Sequence, residues 1–328
     1  MPRSASKAIR IAIGLAVLAF LIVKVGHAKP LERLANARPL FILFAVVVVI
    51  IDGLVRTWNW TQLIRAMHLA PAVSYGRVLS VSWAGAFLGQ VVPSTAGTDA
   101  LRAVLAARVI GGPASAHAAA IVMMNALSLL VGCATGIGCA LWLASAHDGS
   151  GVRLPAVIAF VAAIGAAGIC YWLLSAQRGL LLLILRRMRG PWRKLRRPLR
   201  RFTHKLLVFE RYHVNLLPIV AVAFLTLVTR ATMYAMVGLA VSVELPFPAW
   251  LALVPAYLLS GILPYSVAGY GGDQAAIVYM LTGFGANAAG ALVFALIVPL
   301  MTMTYNMLGG VPILTGRIDS SSRLSASD

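Results

Sequence analysis

Apolar residues run through this chain in long blocks, and polar residues gather in the gaps between them. Six blocks are long enough to cross a hydrocarbon core of about 30 Å as helices rising about 1.5 Å per residue. They are Ile9–Val25, Leu40–Trp58, Ala114–Ala146, Leu154–Ala176, Val214–Val243 and Ala288–Thr315. The pattern predicts one span for each, the last broken by Pro299. Basic residues Arg3, Lys7 and Arg10 stand at the start of the first block. That block is longer than a signal-peptide core and ends in Lys24-Val25-Gly26-His27 without a small-residue cleavage site, which predicts a retained span.

Two further apolar regions are shorter and interrupted. Val78–Val92 is followed by Pro93-Ser94-Thr95-Ala96-Gly97-Thr98 and then Asp99–Ile110. Trp250–Leu263 is followed by Pro264 through Gly272 and then Asp273–Phe284. An arm of this length reaches only about 22 Å as a helix, too short to cross. Each pair is therefore predicted to be a re-entrant hairpin of two half-helices meeting at a Pro/Gly turn. Irregular backbone at membrane depth is tolerated only inside protein or beside a wet cavity.

Composition agrees with this pattern. Of 328 residues, 60% are hydrophobic and 11% charged, with a mean hydropathy of +0.88. A soluble domain carries about 25% charged residues, so a soluble enzyme, a disordered regulator and a secreted disulfide scaffold are all excluded. The net charge of +19 comes from 28 Lys and Arg against 9 Asp and Glu. These basic residues flank apolar blocks, so they point to topology and anionic lipid rather than to nucleic acid.

Charge also orients the chain. Segment Arg178–Arg211 holds 12 Lys and Arg, which places it in the cytoplasm. The alternation that follows puts both termini inside, brings the first hairpin in from the cytoplasm and the second from outside. Lys24, Lys29, Arg33 and Arg38 in the first outer loop run against the rule and are outweighed by the 12-residue cluster. The expected fold is an all-α polytopic membrane protein of six full spans plus two re-entrant helical hairpins, arranged as an inverted repeat within one domain, 1–328. Repeat one covers about 39–146 and repeat two about 214–315. Span 154–176 and the basic loop 178–211 connect them. Inverted repeats with broken helices are a transporter design.

Three acidic residues fall inside the expected membrane elements: Asp52, Asp99 and Asp273. Burying a charge there costs at least about 2.5–3.5 kcal/mol on insertion scales, so each needs a partner or a role. Asp99 and Asp273 open the second arms of their hairpins and could be N-caps. The alternative is that both half-helix N-termini point into the protein centre and hold an anion there, phosphate in particular. Ser94 lies in the first turn, and Gly97, Gly271 and Gly272 would let backbone approach such a group. Arg102 is either an interfacial anchor or one arm of a phosphate clamp. Arg230, in mid-span, is either the other arm or half of an ion pair with Asp52, Asp99 or Asp273. Asp52 and Arg56, four apart on one helical face, are spaced to pair with each other.

No catalytic constellation is present. Cys133, Cys139 and Cys170 lie in apolar stretches with no CxxC spacing. The six histidines are scattered without a metal-binding pattern, so neither a metal nor a cofactor is expected. Gly179–Met188, in the basic loop, has the pattern of an interfacial amphipathic helix.

The segment Gln90-Val91-Val92-Pro93-Ser94-Thr95-Ala96-Gly97-Thr98-Asp99-Ala100-Leu101-Arg102 resembles the LPS-x-x-GG-D-x-x-R signature of the lysylphosphatidylglycerol synthase transmembrane region. This is the flippase-like domain of the multiple peptide resistance factor. Leu263 through Asp273 resembles that family's second motif. Thr98 replaces the second Gly of the first motif, and Asp273-Gln274 stands where an R-E pair is expected. The resemblance implies a protein that moves or handles lipids with large polar heads across the bacterial inner membrane. It also implies no synthesis of lysyl-lipid, for want of the aminoacyltransferase domain.

The expected function is accordingly a lipid flippase-like transporter of an anionic head group, and not an enzyme. Its partners would be membrane lipids: phospholipid, aminoacyl-phospholipid, polyprenyl-phosphate or hopanoid-type. No nucleic acid is expected; a homodimer or a lipid-modifying enzyme partner is compatible. The alternatives are a secondary transporter of a small anion and a non-transporting subunit that positions a lipid glycosyltransferase.

Overall fold

The computed structural model describes residues 32, 35–67, 69–70, 72–90, 95–146, 216–260, 266–267 and 270–315. The expected spans Ile9–Val25 and Leu154–Ala176, the basic loop and the turn residue Ser94 lie outside the described residues. The described chain runs α1 (Pro39–Ala66), α2 (Tyr75–Gly89), α3 (Thr95–Val109), α4 (Ala114–Ala146), α5 (Leu216–Ala240), α6 (Phe247–Ser260), β1 (Ser266–Val267), β2 (Tyr270–Gly271), α7 (Gly272–Gly283) and α8 (Ala288–Met307). A 3-10 turn, Leu308–Gly310, and the short α9 (Val311–Leu314) follow. Among the described residues, four helices are long and apolar enough to cross a membrane: those at Pro39–Ala66, Ala114–Leu143, Leu217–Ala240 and Ala288–Leu314. The protein is a multi-pass, helical membrane protein.

α1 outruns its apolar block by two turns. The extension carries Asn59, Trp60, Thr61, Leu63 and Ile64, all buried. Thr57 and Thr61 each donate their hydroxyl to the carbonyl four residues back, at 2.8 Å. Polar residues can extend the helix because they face protein. On the other side Leu40, Leu43, Phe44, Val47, Ile51 and Trp58 are exposed. Their helical spacing makes one apolar stripe, the surface expected of a helix bordered by lipid.

The two interrupted regions do form separate short helices. α2 and α3 are 15 residues each and pack against one another, with Thr98 of α3 donating to the Gly89 carbonyl of α2 at 3.2 Å. α3 begins at Thr95 rather than Asp99, because the turn chemistry ends earlier than the apolar pattern suggests. It stops at Gly111 and Gly112, whose φ angles of +100° and +80° suit residues without a Cβ. Between α6 and α7 the Gly-rich stretch forms an antiparallel pair of two-residue strands, Ser266↔Gly271 and Val267↔Tyr270. This two-residue ladder is a local feature of the turn, and the described architecture is otherwise helical, as expected. α8 passes unbroken through Pro299, which is buried, and the helix changes character only at Leu308–Gly310. There Gly309 lies directly against the Trp83 carbonyl of α2, an approach that any side chain would block.

Lipid provides little hydrophobic drive between helices, so close packing of small residues does that work. Gly136 of α4 faces Pro255 and Ala252 of α6, and Gly238 of α5 lies under Trp250. One apolar cluster joins α5, α6, α7 and α8 to the first half of α1 around Trp250, Phe294 and Tyr234. A second joins the later half of α1 to α2, α3 and α4 around Trp60, Leu63, Ile64 and Ile121. α1 runs through both, with α5 packed along it. Asp52 and Arg56 lie in the middle of α1, where the two clusters meet, and Arg65 in its last turn.

Candidate ligand site

Asp52 is buried near the middle of α1. Its Oδ1 accepts from the Thr229 hydroxyl at 3.0 Å and its Oδ2 from Arg230 Nε at 3.3 Å, both donors on α5. The side chains of Arg230 and Asp52 are 19% and 10% exposed. Of the three carboxylates open to Arg230 in the sequence, the fold selects Asp52. The spacing that suggested an Asp52–Arg56 pair is overruled. The carboxylate is occupied from α5, and among the described residues no hydrogen-bond acceptor is found on the Arg56 guanidinium.

Asp99 and Arg102 form a second pair. Because α3 starts at Thr95, Asp99 lies in its second turn and is not its cap. Its Oδ1 accepts from Arg102 Nη1 at 3.1 Å, and its Oδ2 accepts from Asn125 Nδ2 of α4 at 2.7 Å. The expected capping role is therefore replaced by a charge-assisted contact between helices. The stem of Arg102 crosses α2 at Gly85, filling the place where a Cβ would stand. Arg102 Nε is buried with no hydrogen-bond partner.

These two pairs belong to one cluster. Arg230, Asp52, Arg102 and Asp99 all act electrostatically on Arg56. Tyr305 of α8 completes the group. Its ring fills the space left by Gly53, and its hydroxyl accepts from Trp83 Nε1 at 2.9 Å, the two rings meeting edge to face. Tyr305 also feels Arg56, Arg102 and Asp52. Tyr234 and Tyr257 lie within reach of Arg230. The described charged side chains of the cluster are three arginines and two aspartates, a surplus of one positive charge in a setting where each charge is expensive.

Of the residues expected from sequence, Asp52, Arg56, Asp99, Arg102 and Arg230 are brought together. Gly97 lies in the first turn of α3, two residues before Asp99. Gly271 and Gly272 stand at the junction of β2 and α7. Asp273 is the second residue of α7, and its side chain, like Ser94, lies outside the described residues. The aromatic and neutral partners Thr229, Asn125, Trp83 and Tyr305 escaped the sequence reading. Thr229 stands next to an intramembrane arginine and Tyr305 is a polar residue in an apolar span, so a search for every polar group in the spans would have included both.

Among the described residues, no group of three or more His, Cys, Asp and Glu is placed to hold a metal ion. Comparison with curated proteins finds no match. Comparison with protein families does: residues 7–310 match the lysylphosphatidylglycerol synthase TM region. That match covers all the helices of the charge cluster, and with it the chain belongs to the lysylphosphatidylglycerol synthase TM region family.

Proposed function

We propose that this protein is a lipid flippase-like transporter of the bacterial inner membrane, holding an anionic lipid head group at the charge cluster while the tails remain in lipid. One observation carries this reading: among the described residues, the charged side chains gathered near the middle of α1 and α5 and reached from α3 are three arginines and two aspartates. An unbalanced cation at such depth is stabilised by an anion, and arginine matches phosphate with a planar fork of donors.

The fold supports the wider architecture. In the proposal, α1, α2–α3 and α4 form one repeat and α5, α6–α7 and α8 the other, inverted, with both short-helix pairs re-entrant. Two more spans, Ile9–Val25 and Leu154–Ala176, bring the total to six, and both termini are cytoplasmic. Its support is reciprocal packing. α1 pairs with α5, the first span of each repeat. α6 packs on α4, and α2 packs on the end of α8, so the first short helix of each repeat contacts the last span of the other.

The test is a leaflet-accessibility assay. The full chain is reconstituted into liposomes containing a trace of head-group-intact, tail-labelled fluorescent phosphatidylglycerol, and dithionite quenches the outer leaflet. The expected result is quenching well beyond the half seen in empty liposomes. Quenching that stops at half across phosphatidylglycerol, phosphatidic acid and a polyprenyl phosphate would remove the transport reading.

A further inference from the structure

The arginines of the cluster are not equivalent. Arg230 directs Nε at Asp52, whose other oxygen is taken by Thr229. Arg102 directs Nη1 at Asp99, whose other oxygen is taken by Asn125. Both carboxylates are thus occupied on both oxygens by other residues. Arg56 is left without an acceptor among the described residues. Its charged neighbours are Arg230 and Arg102, of like sign, and Asp52 and Asp99, each already engaged by another arginine. Arg102 still has one buried nitrogen, Nε, with no partner, although the rest of its side chain is held by Gly85 and Asp99.

A buried donor without an acceptor is unfavourable by about the desolvation of that group, and more when it is charged. Arg102 Nε is such a donor; Arg56, half-buried and with no acceptor among the described residues, belongs to the same cluster, and a single multi-oxygen anion satisfies both. We infer that the phosphate group of the ligand is held by Arg56 and the free edge of Arg102, and that Arg230 is a strut between α1 and α5 rather than a ligand arm. This rests on the transport reading given above. It differs from a symmetric clamp by Arg102 and Arg230, the arrangement suggested by sequence position alone. Tyr305, packed on Gly53 one turn from Arg56, forms a wall of the seat.

The test is calorimetric titration of the purified full chain in detergent with dihexanoyl phosphatidylglycerol below its micelle concentration, alongside thermal unfolding. Wild-type protein should bind saturably, and Arg56→Gln should weaken binding roughly tenfold or more, the loss of a charge-assisted contact, with its Tm nearly unchanged. Arg56→Lys keeps the charge without the fork and should fall between the two. It carries the test if Arg56→Gln does not purify as a monodisperse protein. Wild-type affinity in whichever of these variants is folded overturns the assignment of Arg56 while leaving the transport reading intact. Absence of binding by wild-type protein removes both. Inorganic phosphate serves as the second probe: if it binds as tightly as the lipid, the seat is for a free anion and the lipid assignment falls.

Discussion

Arg230 reaches back 178 positions along the chain to place its Nε 3.3 Å from the carboxylate of Asp52. The contact ties α5 to α1 at a depth where neither charge can reach water easily. Breaking a buried pair from one side strands the other charge, at a cost of about 3–5 kcal/mol. Arg230→Ala and Asp52→Ala should each lower Tm in detergent substantially. The double variant Asp52→Asn/Arg230→Gln should recover part of the loss, because no bare charge is left. A double-mutant cycle measures the coupling, and additive losses would dismiss the strut.

Asp99→Asn changes charge at almost constant shape. The Asn125 contact can persist through the amide oxygen, but the ion pair to Arg102 is lost. Freed from its carboxylate, Arg102 should bind an anion several-fold more tightly. Lipid turnover should then slow, because release becomes harder. Titration and the leaflet assay read the two effects separately. Unchanged affinity would mean that Asp99 does not tune Arg102.

Gly53→Ala places a methyl group where the Tyr305 ring lies. Overpacking of this kind typically costs about 1–3 kcal/mol. The expected outcome is a lower Tm, partly restored by adding Tyr305→Ala, which opens the space. A neutral Gly53→Ala would show that the α1–α8 contact is loose.

Topology is checked by chemistry at two serines. In a background without native cysteines, Ser150→Cys should label only from outside and Ser322→Cys only from the cytoplasm. Labelling of both from one side would discard the inverted arrangement.

How much of this was legible in the chain depends on distance along it. The four long helices and both interrupted regions are local patterns, and apolar length with Pro/Gly turns was enough to find them. α1 runs past its apolar block because burial of Asn59 and Thr61 depends on neighbouring helices, not on their own hydropathy. Asp52 has two candidate partners in the sequence, Arg56 four residues on and Arg230 on a distant span, and only the packing of α5 on α1 decides for Arg230. Asp99 has the position of a cap only if the helix starts after the glycine, whereas α3 starts at Thr95. Its real partner on α4, Asn125, is neutral and leaves no charge pattern to follow. The repeat in turn chemistry draws attention to Asp99 and Asp273, but which arginine has no carboxylate among the described residues is a property of the assembled helices.

The bond between α1 and α5 has a consequence for how the protein is made. Asp52 leaves the ribosome long before Arg230 is synthesised, so the first half of the chain enters the membrane with this acid lacking its final partner. Arg56, one helical turn away, is spaced to shelter it in the meantime and would be released when α5 arrives. Assembly of the second half would then do two things at once: it would neutralise the acid and bare the arginine. A chain arrested after α4 should therefore insert normally yet bind no phosphatidylglycerol. Binding by that arrested fragment would show that the seat does not wait for α5.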